Sequence, residues 1–309
     1  MPYRFRSGKR SGFPADGMRL RAADTISKRR GVSARRRSSA HPLVRVWRMS
    51  TTTRSGRERR SAVTVVVLLI ACGSAQAGCA DLPVQGDGVV AAIDDARSLR
   101  LDDGREIRLA GLEVAAAHAA ATIAALTTLT RGRHVALHGA DGTPDRYGRQ
   151  PAYVVTDDAA LPVQARLLQA GHAMVGLGIA QPDCRAELLA AEAAARDARL
   201  GLWAEPGALL QAADGDALLA RAGRFTVVEG RIVSVREAGS MIFLNFGRRW
   251  TRDFAVTISR RILGSFEAAG ISPKSLEYKR IRVRGWIERR TGPQIGIREV
   301  GQIEVPGAR

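Results

Sequence analysis

The densest group of side chains suited to chemistry lies late in the chain, where basic and aromatic residues alternate. It runs Phe243, Phe246, Arg248, Arg249, Trp250, Arg252 and Phe254, then Arg282, Arg284 and Trp286. Guanidinium groups fork onto phosphate oxygens and aromatic rings stack on bases, so the pattern suits single-stranded nucleic acid. It suits other polyanions equally, such as anionic envelope glycans or lipid headgroups. It also arises when the rings fill a barrel and the arginines form its solvated face. Two smaller groups offer less. His134 and His138 would share one side of a strand, yet at a rise of roughly 3.3 Å per residue they stand more than ~10 Å apart, a poor metal pair. Asp214-Gly215-Asp216 sits in a connection and reads as turn chemistry.

The elements that position these residues follow from the local patterns. After Gly88 come Val89-Val90, Ser98–Leu101, an Asp102-Asp103-Gly104 turn and Glu106–Leu109, a hairpin signal. Residues 114–130 hold no Gly or Pro and stop at Gly132, so a helix is expected there. Strands are expected over 134–138 and 149–156, and helices over 161–170 and 185–200 with stops at Gly171 and Gly201. Beyond a connection and short helix near 206–223, strands are expected over 225–235, 241–246, 254–258, 281–288 and 294–305. A helix over 260–269 separates the third strand from the fourth. That order is the one a small oligonucleotide/oligosaccharide-binding-type (OB) barrel requires.

The 309 residues carry 48 Lys+Arg against 30 Asp+Glu, a formal charge of +18, with 45% hydrophobic residues. Collagen-like and wholly disordered classes are excluded. The charge is unevenly spread: residues 1–60 contribute +15, residues 78–206 contribute −5 and residues 207–309 contribute +8. Residues 1–48 form a basic extension of low order, ahead of a second candidate start at Met49. From Met49, four arginines precede an apolar stretch ending at Cys72, and Ala75-Gln76-Ala77 then precedes Gly78. This is the build of a secretory signal over 49–77, too short for a membrane span. Leu69-Ile70-Ala71-Cys72 also reads as a lipobox, with Cys72 the lipidated residue. Either route implies export, to the periplasm or beyond, free or lipid-anchored, with no transmembrane helix in the mature chain. Cys79 and Cys184 then remain as an even pair, expected to form one disulfide in an oxidising compartment.

Four motifs occur in order: Arg108-Leu109-Ala110-Gly111-Leu112, Asp145-Arg146-Tyr147-Gly148-Arg149, Leu167-Leu168-Gln169-Ala170-Gly171 and Gly201-Leu202-Trp203. On these, residues 86–206 resemble the staphylococcal-nuclease-like (thermonuclease) family. The resemblance implies an α+β fold, a five-stranded OB-type barrel with three helices over 78–206. The module over 224–306 is OB-like in architecture alone, and 207–223 connects the two. Active members of the family are calcium-dependent phosphodiesterases of DNA and RNA. Matched position by position, Arg108 and Arg149 fall on the phosphate-binding, catalytic arginines and Tyr147 on the site tyrosine.

The acids depart from that pattern. The Asp-Gly-Asp-Thr of the family is here Asp95-Ala96-Arg97-Ser98, so Arg97 replaces a metal-binding Asp. Its Ile-Asp-x-Pro-Glu run is here Leu112-Glu113-Val114-Ala115-Ala116, with Glu113 one methylene longer than Asp and Ala116 in place of the general base. His118, the polar residue nearby, has the setting of an ordinary helix residue. The expected product is an exported, catalytically impaired relative with no cofactor. Its arginines Arg97, Arg108 and Arg149 would hold nucleic acid or another anion, or the protein would scaffold an envelope partner. Two alternatives stay open: a working nuclease using Asp95 and Glu113 as calcium ligands, and a purely structural envelope protein in which the arginines serve as ion-pair partners.

Overall fold

The computed structural model describes residues 78–249 and 251–306. The basic extension, the export signal with Cys72, and Trp250 lie outside the described residues. The described residues belong to one compact unit.

Its first barrel begins with the long strand β1 (Val84–Asp95), followed by β2 (Ser98–Leu101) and β3 (Glu106–Leu109). A short β4 (Leu112–Glu113) leads to α1 (Ala119–Thr130), β5 (His134–His138) and β6 (Gln150–Thr156). Then come α2 (Val163–Gln169), β7 (Met174–Val175) and α3 (Pro182–Asp197). The five long strands close a barrel in the order β1-β2-β3-β6-β5, with β3 and β6 parallel and β4 paired with β7 beside it. Alternation sets which side of each strand faces in: Leu99, Leu101, Ile107, Leu109, Val135, Leu137 and Val154 are fully buried or nearly so. Both glycine stops have a steric basis. A Cβ on Gly171 would lie 2.2 Å from the Leu200 carbonyl oxygen, and one on Gly201 would lie 2.3 Å from that of Gly171. The two backbones touch, and both residues have positive φ, a setting only glycine fills without strain.

Residues 207–223 are built into the second sheet. They form β8 (Leu209–Gln211), which runs parallel to β9 (Phe225–Arg231), and the short α4 (Gly215–Leu219). The single strand expected over 225–235 is broken at Ile232-Val233 into β9 and β10 (Ser234–Ala238). Next come β11 (Met241–Asn245), β12 (Ala255–Ser259), α5 (Leu263–Ala268), β13 (Arg280–Arg289), β14 (Pro293–Ile297) and β15 (Ile303–Glu304). The sheet order is β10-β11-β12-β14-β13-β9-β8, with β12 and β14 parallel. Because β9 and β10 are consecutive halves of one bent strand, this is the strand order of the first barrel repeated. The expected strand over 294–305 is also broken, at a turn over Val300–Gln302. Gln302 holds that turn: its Oε1 accepts from the Arg298 and Glu299 amides, and its Nε2 donates to the Arg284 carbonyl.

Two features join the barrels. Met174, Ala195, Leu202 and Trp203 of the first pack with Phe225 and Val227 of the second in one apolar cluster. Beside that cluster, Arg284 is fully buried, and its Nη1 donates to Glu192 Oε2 and to the Val175 carbonyl, both at 2.9 Å. Its Nη2 reaches Glu192 Oε1 at 3.1 Å and also pairs with Glu304. Burial alone would depress the guanidinium pKa, but the charges of Glu192 and Glu304 more than offset it and hold the value above its ordinary level. Cys79 and Cys184 form a disulfide across 105 residues, tying the segment before β1 to α3. Among the described residues, no helix is long and apolar enough to cross a membrane.

Candidate functional site

The turn between β1 and β2 sets the first part of the site. Asp95 Oδ1 accepts from the Arg97 amide at 2.6 Å and Oδ2 from the Ser98 hydroxyl at 3.2 Å. This closes an Asx-type turn and commits both oxygens of the carboxylate. The Arg97 side chain leaves the turn toward β4, where Nη1 donates to the Leu112 carbonyl at 3.1 Å and pairs with Glu113. Arg97 therefore occupies the flank of Glu113 with a fixed positive charge.

Arg108 projects from β3 beside this pair. Ser98 and Arg108 are cross-strand partners. Arg108 Nη1 donates to Ser98 Oγ at 3.3 Å and stands 3.6 Å from Asp95 Oδ2. Its pKa is depressed, first by partial burial and then by the charge of Arg97, with Arg149 adding to the same effect. Arg108 nonetheless stays protonated at any physiological pH. Glu113 is pushed above the ordinary carboxylate value by burial, opposed by the charge and hydrogen bond of Arg97 and by Arg108.

Arg149 and Tyr147 come from the loop entering β6. Asp145 organises it, accepting through Oδ1 from the Tyr147 amide at 2.8 Å and the Arg149 amide at 3.1 Å. Asp145 Oδ2 takes Nε and Nη2 of Arg149, at 3.1 and 2.8 Å, which raises the guanidinium pKa. The Tyr147 ring is exposed, with the guanidinium groups of Arg146 and Arg149 4.7 and 5.0 Å from its centre. The sequence reading missed Asp145 as the partner of Arg149, although a four-residue spacing around Gly148 was the signal for it.

Arg97, Arg108, Arg149 and Tyr147 thus share one end of the barrel, and each arginine has a carboxylate neighbour. The donor set does not fit a calcium ion. Calcium takes six to eight oxygens, whereas Asp95 is committed to its turn and Glu113 to Arg97. Among the described residues, no three His, Cys, Asp or Glu side chains are grouped to hold a metal. Ala116 begins a turn of 3-10 helix before α1, so no carboxylate stands at that position. His118 lies 3.3 Å from Glu205. His134 bridges Asp87 at 2.9 Å and Asp157 at 3.2 Å, while His138 is turned to the Leu82 carbonyl, so the two do not converge. Asp214 caps α4 through the Ala217 amide.

Two of the basic residues of β13 serve the fold. Arg282 pairs with Glu229 and Glu304, and Arg284 is the buried connector described above. Phe254 lies in the second core, with Phe246 packed against it at 5.1 Å between ring centres. Phe225 meets the edge of Trp286, ring centres 5.0 Å apart. Phe243 alone of the expected phenylalanines stands on an outer sheet face.

No curated protein matches the chain significantly. The model of the staphylococcal nuclease homologues matches residues 107–205, a span that takes in Arg108, Glu113, Tyr147 and Arg149 together with α1 to α3. Over residues 107–205, from β3 to the end of the first barrel, the chain is accordingly similar to the staphylococcal nuclease homologues.

Proposed function

We propose that this nuclease-like domain binds a phosphate-bearing polyanion, nucleic acid foremost, without hydrolysing it. The carrying observation is the Arg97–Glu113 pair beside Ala116. A cation occupies the flank of the carboxylate that would face a metal, and no base stands where water would be activated. Arg108 supports the binding half of the reading. Its charged form is disfavoured by burial and by Arg97, so a phosphate approaching it relieves that penalty. Arg149 and the exposed Tyr147 lie alongside.

The domain's test is cleavage and binding of single-stranded DNA by the purified chain, with calcium and with chelator, beside Arg149→Ala and Arg108→Ala. The expected outcome is no cleavage and salt-sensitive binding that weakens by about tenfold in Arg108→Ala, the loss of one charge-assisted contact. Calcium-dependent cleavage abolished in Arg149→Ala would instead establish a working nuclease with a rewired site.

The protein is further proposed to act outside the cytoplasm. The signal-like segment over 49–77 and the Cys79–Cys184 disulfide support this, since disulfides persist in oxidising compartments. Mass spectrometry of the chain recovered from its native host decides the route. A terminus at Gly78 marks soluble export, a lipid-modified Cys72 marks anchoring, and an uncleaved chain contradicts both.

A further inference from the structure

We infer that the outer face of the second barrel, across β10, β11, β12 and β14, is a second binding site for single-stranded nucleic acid. In it a base stacks on Phe243 while phosphates sit on Arg236 and Arg248. The inference goes beyond the reading of the first barrel and uses none of its residues.

The register places the parts. Along β11, Ile242 and Leu244 point into the core, so Met241, Phe243 and Asn245 point outward. Phe243 is paired with Arg236 on one side and Thr257 on the other, and Thr257 with Gly296 beyond it. One row across four strands therefore reads Arg236, Phe243, Thr257, Gly296. Beyond the ring the row holds the buried Thr257 and then Gly296, where a Cβ would lie 3.8 Å from Glu288 Oε1. The neighbouring row is polar or small: Ser234, Asn245, Ala255, Gln294.

Two hollows meet at Phe243 and Asn245. One of about 740 Å³ is bounded by Val233, Arg236 and Arg248. The other, of about 240 Å³, is bounded by Arg290, Pro293 and Gln294. Phe243 and Asn245 line both, so the ring stands between the two hollows, the larger of which is of the size small ligands occupy.

The charge is available. Among the described residues, Arg236, Arg248, Arg249, Arg252 and Arg289 form no ion pair. The acidic groups nearby are already engaged: Glu237 with Arg260, Glu288 with Arg290, and Asp253 Oδ2 with the Arg249 amide at 2.7 Å. A partly exposed ring between two hollows, with guanidinium groups beside it, matches the two demands of a nucleotide, a π-face to stack and a phosphate to neutralise. A neutral glycan needs the ring alone, and a plain polyanion needs the arginines alone.

The experiment is fluorescence anisotropy of a labelled oligothymidylate, with an abasic phosphodiester strand of the same length as second probe. The proteins are the full chain, Phe243→Ala, Phe243→Tyr, the double variant Arg236→Gln/Arg248→Gln, and Arg149→Ala. Phe243→Ala is expected to weaken oligothymidylate binding at least about fivefold, the loss of one stacked base, with an unchanged slope against log salt. Phe243→Tyr should restore it, and the abasic strand should bind the parent chain more weakly and ignore both changes. The double arginine variant should lower the salt slope by about 0.7 per lost phosphate contact. Arg149→Ala should leave the effect of Phe243→Ala intact. Equal binding of both strands, or a change below twofold in Phe243→Ala, overturns the inference and leaves a plain polyanion surface. Binding lost in Arg149→Ala but kept in Phe243→Ala overturns it in favour of the first barrel alone. If Phe243→Ala melts the fold, the double arginine variant decides: an unchanged salt slope overturns the inference.

Discussion

At the scale of single residues, replacement of one acid by Arg97 reorganises the charges around it. Burial raises the Glu113 pKa, and Arg97 is the main group pulling it back. Removing that cation leaves burial less opposed, so Arg97→Ala should raise the Glu113 pKa further. A pH titration of the Glu113 carboxyl carbon by NMR checks this, and a fall on substitution contradicts the pairing. The stability consequence has the opposite sign to the usual carboxylate. With its folded pKa raised, Glu113 stabilises the fold less as pH climbs through the carboxylate range, and more steeply so in Arg97→Ala. His134 supplies a second dependence. Its pKa is raised by hydrogen bonds to Asp87 and then Asp157, so its contribution is complete below the ordinary histidine value and is lost as pH rises through the folded one. Thermal melting should show a small decline in Tm over that window which His134→Gln removes. His172, whose pKa is lowered by burial and then by His118, acts in the opposite direction below that window.

At the scale of elements, α3 and β13 are held by a buried charge, and its arithmetic predicts asymmetry. Arg284 is enclosed by Glu192 and Glu304, and Glu192 also accepts from the Val175 amide at 2.6 Å and from Arg196 at 3.1 Å. Removing one partner of such a pair leaves an uncompensated buried charge, at a cost of about 3–5 kcal/mol. Arg284→Met and Glu192→Gln should each approach that loss in denaturant unfolding, and the double variant should lose less than the two singly combined. Additive losses would mean that the two groups do not share one network. Because Glu192 belongs to the first barrel and Arg284 to the second, each single change should also loosen one barrel from the other, visible as faster hydrogen exchange at Val175 and in β13.

Across the whole molecule, the disulfide spans much of the first barrel in sequence. Cross-linking residues 105 apart removes denatured-state entropy equivalent to about 4–5 kcal/mol in the chain-entropy model. Thermal unfolding with and without reductant measures this. Cys79→Ala/Cys184→Ala should melt where the reduced parent chain melts and show no further response to reductant. A chain whose stability ignores reductant contradicts a structural bridge. The two barrels repeat one strand order, which places the Arg108–Arg149 cluster and the Phe243 face on separate modules of one compact unit.

Much of this was legible in the sequence where the signal is local. Alternation and the Asp-Gly turn mark β2 and β3, and the four ordered motifs point to the nuclease-like barrel. The losses at Arg97 and Ala116 are visible without any structure. Gly171 and Gly201 read as helix stops, yet their contact with each other across the fold did not. The rest depended on which distant residues meet. Arg97 meets Glu113 across 16 positions and Arg284 meets Glu192 across 92. The sequence alone therefore suggested a basic surface on β13 where the fold has a buried connector. On β11 both parities are apolar, Met241 and Phe243 against Ile242 and Leu244, so periodicity could not choose the outward face. Local hydrogen bonding and alternation specify the elements. Only the packing of the two sheets around their cores, which decides what each side chain is desolvated against, determines which arginines are neutralised and which residues of β11 face outward.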